Sequence, residues 1–106
     1  LDEMETELLA SGIADRSRAF NLTWHDWLNL RSQIEVSKVI ALAALQRENS
    51  RGAHYRDDFK DAGDLATSAY TVVRQQGGKL HVTNEPVKFT IVSPGETLLK
   101  ETQAAE

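Results

Sequence analysis

Hydrophobic side chains in the first half of the chain recur at the spacing of a helix. The strongest series comprises Trp27, Leu30, Ile34, Ala41 and Leu45. Its period predicts a long helix, and further apolar residues between these positions widen the surface beyond one stripe. We therefore expect this helix to be buried on two sides. Thr23 is its predicted N-terminal cap and Gly52 its predicted terminator.

A shorter helix is predicted before the long one. A looser series of the same period comprises Leu1, Met4, Leu8 and Ile13. The acidic residues Asp2, Glu3 and Glu5 suit the positive end of a helix dipole. Gly12 disfavours the helical conformation near the C-terminal end of this helix, and Asn21 is predicted to lie in the turn that follows it. One helical hairpin cannot cover so much apolar surface, so a third element is required.

The pattern changes from helical to alternating after residue 60. The β-rich segment 69–75 precedes Gly77 and Gly78, which are a hairpin turn signal, and the segment 79–83 returns. The implied cross-strand pairs are Val73 with Val82 and Gln75 with Leu80. Pro86 is expected to end the return strand.

A further short strand is predicted at Val87–Ile91, stopped by Pro94 and Gly95. The polar tail from Lys100 is expected to fray.

These elements predict a fold that is mainly α with a small β part. We expect a helical hairpin or bundle, similar to a spectrin repeat, followed by a β-hairpin extension. Residues 1–106 are interpreted as a single domain. Within it, 1–59 form the helical bundle portion and an arginine-rich loop, and 60–106 form the β-hairpin and the polar tail.

Composition narrows the range of functions. Hydrophobic residues make up 41% and charged residues 26%, which indicates a folded domain. The net charge of −4 argues against nucleic-acid binding, because phosphate contacts need a basic surface. No apolar run is long enough to span a bilayer, so no direct membrane insertion is expected. The absence of cysteine excludes thiolate nucleophiles and cysteine-bound clusters.

The densest chemistry lies in residues 46–59, which read Gln-Arg-Glu-Asn-Ser-Arg-Gly-Ala-His-Tyr-Arg-Asp-Asp-Phe. Arg51, His54 and Arg56 are candidates for anion binding. The near balance of charge favours the alternative that they pair with Glu48, Asp57 and Asp58, or with carboxylates elsewhere. His25, His54 and His81 lie on different predicted elements without ligand spacing, so no metal site is predicted. No glycine-flanked elbow surrounds Ser50, so a small hydrolase has no support.

Eight residues of this segment carry a resemblance to a known family: Glu48, Ser50, Arg51, Gly52, Ala53, His54, Arg56 and Asp58. They fit an arginine-rich Glu-Ser-Arg-Gly-Ala-His-x-Arg-x-Asp segment that follows a helical bundle. The chain thereby resembles the C-terminal domain of the succinate dehydrogenase/fumarate reductase flavoprotein subunits. Asn49 is an insertion relative to many members. The likeness covers about residues 20 to 95, with its most specific part at the centre.

The resemblance implies a part of an FAD-dependent oxidoreductase that interconverts succinate and fumarate by hydride transfer in electron transport. No Gly-x-Gly-x-x-Gly turn is present, so we expect the flavin-binding and capping domains to lie outside this chain. The chain does not begin with Met, which fits a piece of a longer polypeptide. We expect it to hold no catalytic, cofactor-binding or metal-binding residue and to be inactive alone, with FAD in the intact enzyme.

The arginine-rich segment is interpreted as a clamp against the rest of the parent protein. The predicted interdomain contact residues are Arg47, Ser50, Arg51, Gly52, His54, Arg56 and Asp58. The implied partners are the flavin-binding domain of its own parent chain and an iron–sulfur electron-transfer subunit. The implied location is cytoplasmic, peripheral to the inner membrane as part of a complex.

Two alternatives stay open. L-aspartate oxidase is a near relative with a similar marker and would carry an equivalent domain. The contrasting possibility is a free-standing helical module for protein–protein interaction, in which the apolar face of residues 27–45 is a partner groove or a dimer seam.

Overall fold

The computed structural model describes residues 1–99 and contains two helices and one β-hairpin. The elements are α1 (Asp2–Ser11), α2 (Leu22–Gln46), β1 (Ala69–Gln76) and β2 (Lys79–Pro86). The predicted fold class, mainly α with a small β part, is confirmed.

The turn between the helices differs from its prediction. α1 ends at Ser11, where Gly12 takes a positive φ of 61°. The N-terminal cap of α2 is Asn21, two residues before the predicted Thr23, and its side chain accepts a hydrogen bond from the amide of Trp24 at 2.8 Å. The prediction of Thr23 as the cap is therefore wrong; Asn21 lies in the turn between the helices, as predicted, and in addition caps α2. Asn21 has the extended backbone and short acceptor that an N-cap requires.

The C-terminal end of α2 also differs. The helix ends at Gln46, and Arg47 continues with an extended backbone at φ −80° and ψ 113°. The prediction that Gly52 terminates the helix is wrong. A glycine terminator works by turning the chain back over the last carbonyls. Here those carbonyls are bonded by the side chain of Arg56 instead.

Few contacts join α1 to α2. Leu8 and Ile34 are the two buried hydrophobic residues within residues 1–99. The indole nitrogen of Trp27 donates to the carbonyl of Leu8 at 3.1 Å. The Nζ atom of Lys38 lies 2.6 Å from carboxylate oxygens of both Asp2 and Glu5. We call this three-residue cluster the helix clasp.

The β-hairpin follows its predicted register. Val73 lies opposite Val82 and Gln75 opposite Leu80, which confirms both pairs. Gly77 and Gly78 have positive φ values of 58° and 76°, as a two-residue type I′ turn requires.

The segment after β2 does not form the predicted strand. The amide of Val87 donates to the carbonyl of Ser68 at 2.9 Å, which extends the pairing by one position. Residues 88–91 then lack strand structure, and within residues 1–99 the sheet consists of β1 and β2 alone. The predicted fraying tail from Lys100 lies outside the described residues.

The molecule is elongated, with extents of 76 × 32 × 28 Å. Its radius of gyration is 22.0 Å, whereas a compact domain of this length has about 13 Å. The accessible surface is 9258 Å², against about 5,900 Å² for a compact monomer of the same mass. The hairpin and the two helices therefore do not enclose a core of ordinary size.

Candidate interdomain contact site

The arginine-rich loop follows α2, and Arg56 joins it to the helix end. The guanidinium Nη1 of Arg56 donates to the carbonyl of Leu45 at 2.6 Å and to that of Arg47 at 3.0 Å. The last carbonyls of a helix lack intrahelical partners. A cation there also suits the negative end of the helix dipole. Arg56 therefore caps α2 from a position well downstream in the sequence.

The other edge of the Arg56 guanidinium faces Asp58. Arg56 Nε donates to one carboxylate oxygen at 2.9 Å, and Nη2 pairs with the other in a two-pronged contact. This hydrogen bonding lowers the pKa of Asp58 below its ordinary value and raises that of Arg56. The guanidinium also lies 4.6 Å from the ring centroid of Phe59. The carbonyls at the end of α2, the Asp58 carboxylate and the Phe59 ring together hold the planar Arg56 guanidinium in one orientation.

Ser50 ties the two ends of the loop together. Its hydroxyl oxygen accepts from the amide of Arg56 at 2.8 Å, and its O–H group donates to the carbonyl of Phe59 at 2.7 Å. The amide of Ser50 donates to the carbonyl of Asp61 at 2.8 Å. One serine thus organises most of the segment 50–61.

A tight turn lies inside this loop. The amide of Arg51 donates to the carbonyl of His54 at 2.9 Å, and the reverse bond measures 3.2 Å. Gly52 makes the turn possible with a φ of +63°, which side-chain-bearing residues rarely adopt. The Nε2 atom of His54 is buried and has no hydrogen-bond partner within the described part of the chain.

The side chain of Arg51 reaches forward to the start of the hairpin. Its Nε and Nη2 atoms donate to the carbonyl of Ala62 at 3.0 and 2.6 Å, and Nη1 donates to the hydroxyl of Ser68 at 2.8 Å. Gly63 lies beside it, and a Cβ there would be 3.5 Å from Arg51 Nη2. Arg51 therefore fastens the segment that leads from the loop into β1.

The seven predicted contact residues lie in one loop of the structure, and most of them form hydrogen bonds to other residues of this chain. Arg56 pairs with Asp58, as the charge-pairing alternative expects, but Arg51 bonds carbonyls and a hydroxyl rather than carboxylates. Arg47 makes a bond of 3.2 Å to the side chain of Asn49. Sequence reasoning missed Ala62 and Ser68 as the partners of Arg51, because a backbone carbonyl carries no residue-specific signal and the Ser68 hydroxyl lies 17 residues downstream, beyond any local pattern. Within residues 1–99, no cluster of three or more potential ligands could hold a metal ion.

Apolar surface continues from this loop along α2. Val36 is 56% and Ile40 62% exposed. Each residue turns a helix by about 100°, so both lie on the half of α2 that faces away from Ile34. We call these two side chains the open face of α2; Leu45 is also 68% exposed but lies on the same side of the helix as Ile34. A groove lined in part by Leu1, Val39, Leu42, Val73 and Leu80 runs between the helices and the hairpin.

Comparison with known proteins shows the family to which the chain belongs. The family described as fumarate reductase flavoprotein C-term matches residues 1–100. The chain belongs to this family. It is 38% identical to the fumarate reductase flavoprotein subunit of Mycobacterium tuberculosis (strain ATCC 25618 / H37Rv) over 94 residues, which are 88% of this chain and 16% of the relative. The resemblance inferred from the arginine-rich marker is confirmed.

Two further relatives carry similar names. The succinate dehydrogenase flavoprotein subunit of Coxiella burnetii (strain RSA 493 / Nine Mile phase I) is 36% identical over 84% of this chain and 15% of its own length. The 8-methylmenaquinol:fumarate reductase flavoprotein subunit of Wolinella succinogenes is 29% identical, also over 84% and 15%. The chain thus spans about a sixth of the curated relatives it matches. No solved structure gives a significant match.

The family is the C-terminal domain of an oxidoreductase flavoprotein subunit. None of the helices in the described part of the chain has the length and apolar character required to cross a membrane.

Proposed function

We propose that this chain is the C-terminal accessory domain of an FAD-dependent oxidoreductase of the succinate dehydrogenase/fumarate reductase type. Its role is to brace the flavin-binding and capping domains of its own parent chain, and it is inactive alone. The observation that carries the proposal is the surface surplus: the chain exposes roughly 3,300 Å² more than a compact monomer of its mass. One partner of a standard interface contributes only ~800 Å².

The arginine-rich loop has a specific place in this proposal. Its internal bonds fix a preformed surface at the end of α2, from which the ring of Tyr55 and the carboxylate of Asp57 project into solvent. A surface that is already ordered loses little conformational entropy when it binds. The seven predicted residues thus act in interdomain contact chiefly by holding this loop in shape.

The intact enzyme would hold FAD and pass electrons to an iron–sulfur subunit, in a complex at the cytoplasmic side of the inner membrane. The three relatives named above carry succinate or fumarate names, which favours this branch over L-aspartate oxidase. Their length, about six times that matched here, favours an accessory domain over a free-standing module.

The open face of α2 provides the test. We expect Ile40→Asp in the full-length chain to weaken docking of this domain, because it places a charge in the proposed interface. Flavin content, measured by absorbance, and protection against limited proteolysis should both fall several-fold, since each hot-spot contact of about 2 kcal/mol corresponds to roughly 30-fold in affinity. Arg31→Ala, which removes an exposed polar side chain of the same helix, is the matched control. Normal flavin content and protection in the Ile40 variant would refute the bracing role.

A further inference from the structure

The hydrogen-bonding pattern of the hairpin fixes which backbone groups of β1 lie at its outer edge. Gln76 and Lys79 flank the two-residue turn, and residues in these positions exchange both of their backbone hydrogen bonds. At the other end, the amide of Val87 donates to the carbonyl of Ser68 at 2.9 Å. Hydrogen-bonded and non-bonded pairs alternate along antiparallel strands, so the even-numbered residues of β1 bond to β2. The N–H and C=O groups of its odd-numbered residues point outward.

This outer edge has no partner in the described part of the chain. Within residues 1–99 the sheet consists of β1 and β2 alone. The outward-pointing residues Thr71, Val73 and Gln75 make no backbone hydrogen bond to a residue outside the hairpin in that range. The edge of β1 thus presents donors and acceptors at the spacing of a strand, which is the arrangement that an added strand recognises.

The two outer edges of the hairpin are not equally open. β2 begins at Lys79 and ends at Pro86, whose nitrogen has no hydrogen to donate. Lysine and proline are residues with which natural edge strands avoid further pairing. β1 contains neither, and its pairing with β2 runs over all 8 of its residues without a bulge. We therefore expect an added strand at β1 rather than at β2.

The sequence of β1 is complementary to itself. When two copies of β1 run antiparallel about a two-fold axis at Val72, this residue lies opposite its own copy. Thr71 then lies opposite Val73, so the outward N–H and C=O groups of the two copies meet in hydrogen-bonded pairs. Tyr70 lies opposite Arg74, and an aromatic ring beside a guanidinium is an attractive pair. The axis repeats each contact, as a symmetric interface between identical chains requires.

The charges beside the edge also suit this pairing. Arg74 is the charged residue of β1, and it pairs with Glu85 of its own hairpin at 2.7 Å. In the antiparallel register the two Arg74 side chains lie at opposite ends of the contact, so like charges do not face each other. The ring of Tyr70 lies on the same face and is 61% exposed, so it can contact a guanidinium. A second copy therefore matches both the backbone edge and the side chains beside it.

We propose that two copies of this chain associate through the outer edges of β1, paired antiparallel with a two-fold axis at Val72. The product is a continuous four-stranded sheet in the order β2, β1, β1, β2. The contact runs along the strand edge, so the open face of α2 stays available to the parent chain. This inference goes beyond the bracing role, which concerns contacts within one copy of the parent chain.

The first experiment tests the symmetric pair at residue 72. Val72→Cys in the full-length chain should form a disulfide between two copies, because opposite residues of a non-hydrogen-bonded pair have Cα atoms about 4.5 Å apart. Thr83→Cys is the matched control, because Thr83 is the neighbour of Val72 on β2. Its two copies would lie three strand spacings apart, about 14 Å, which a disulfide cannot span. Mass spectrometry should therefore find two copies of the residue-72 peptide joined, and no such product for residue 83.

A second pair of variants tests the backbone edge. Thr71→Pro removes an outward N–H group of β1 and leaves the hydrogen bonds to β2 in place. Asn84→Pro makes the same change at the opposite residue of β2 and is the control. By analytical ultracentrifugation of the full-length chain, Thr71→Pro should weaken dimerisation at least about 30-fold, because the two-fold axis removes two hydrogen bonds at once. Asn84→Pro should leave it unchanged. Thermal midpoints check that both variants fold, and the disulfide test does not depend on them.

Three results would overturn the proposal: a monomeric full-length chain, a disulfide yield at residue 72 no higher than at residue 83, or a dimer that Thr71→Pro does not weaken. A monomeric chain in which the amide of Val73 is protected from hydrogen exchange would show that a strand of the parent chain covers the edge. That result would leave the bracing role intact, because flavin content and proteolysis test it separately.

Discussion

At the scale of single residues, two arginines of one loop have separate tasks. Arg56 bonds the last carbonyls of α2 and both oxygens of Asp58, so it closes the loop backward onto the helix. Arg51 bonds Ala62 and Ser68, so it closes the loop forward onto the hairpin. Both tasks depend on the planar guanidinium, whose N–H groups donate to several acceptors in fixed directions. A lysine ammonium would satisfy fewer of them.

The role of Arg51 gives a prediction. Arg51→Ala should release residues 60–68 and raise their rate of proteolytic cleavage in the full-length chain about tenfold, because several hydrogen bonds from a charged donor are lost. Arg51→Lys should recover only part of the protection, since lysine lacks the fork. Arg47→Ala, which loses a single bond to Asn49, is the control. Equal cleavage of all three variants and the parent would contradict the forward role of Arg51.

At the scale of elements, the sequence predicts the type of each helix or strand and the hairpin turn better than it predicts where a helix begins and ends. The alternating pattern and the Gly77–Gly78 pair predict the hairpin to its exact register, because a two-residue turn leaves little choice of pairing. The ends of α2 could not be predicted, since Asn21 and Thr23 are both acceptable caps by residue type. Its C-terminal cap comes from Arg56, and local pattern contains no information about such a contact.

The helix clasp is an element-scale feature with a predictable pH dependence. Lys38 lowers the pKa of Asp2 from its ordinary 3.8, and the two carboxylates raise the pKa of Lys38 from 10.5. The Asp2 contribution to stability is therefore present above pH 3.8 and lost as the pH falls through its lowered pKa. The Lys38 contribution is present below pH 10.5 and lost as the pH rises through its raised pKa. Docking of α1 should be strongest between these limits.

Trp27 offers a way to observe this docking, because its indole bonds the carbonyl of Leu8 in α1. In a Trp24→Phe background, its fluorescence should change below pH 3.8 and above pH 10.5, and added salt should weaken docking between them. Lys38→Gln should flatten the pH profile, whereas Arg31→Gln, which removes the exposed pair with Glu35, should leave it unchanged. The same profile with and without Lys38 would show that the clasp does not hold α1.

At the scale of the whole molecule, the large exposed surface explains why the sequence predicted the helices and strands but not which apolar residues form a core. The apolar positions of α2 are too many for one helical partner, and this much could be inferred from their spacing. Which of them face α1 could not be inferred, because Ile34 is buried whereas Leu45, a member of the same predicted series, is 68% exposed. Burial along α2 depends on which neighbours the other elements supply, and a pattern within one segment does not encode it.

The last prediction concerns the isolated chain. With residues such as Val36 and Ile40 in water, it should bind the dye 8-anilinonaphthalene-1-sulfonate and self-associate, because exposed apolar patches of this extent are typical of interfaces. It should show neither flavin absorbance nor succinate-dependent dye reduction. Val36→Asp with Ile40→Asp should lower dye binding and association several-fold without unfolding the helices, since neither side chain is buried.

The full-length chain supplies the comparison that gives this result its meaning. If the parent domains cover the open face of α2, the dye signal per molecule should be lower in the full-length protein than in the fragment, although the chain is longer. The double substitution should then raise the dye signal in the full-length protein by undocking the domain, while lowering it in the fragment. These opposite effects follow only if the face is covered by the parent chain. A fragment that is monomeric and silent to the dye would show instead that its core closes unaided.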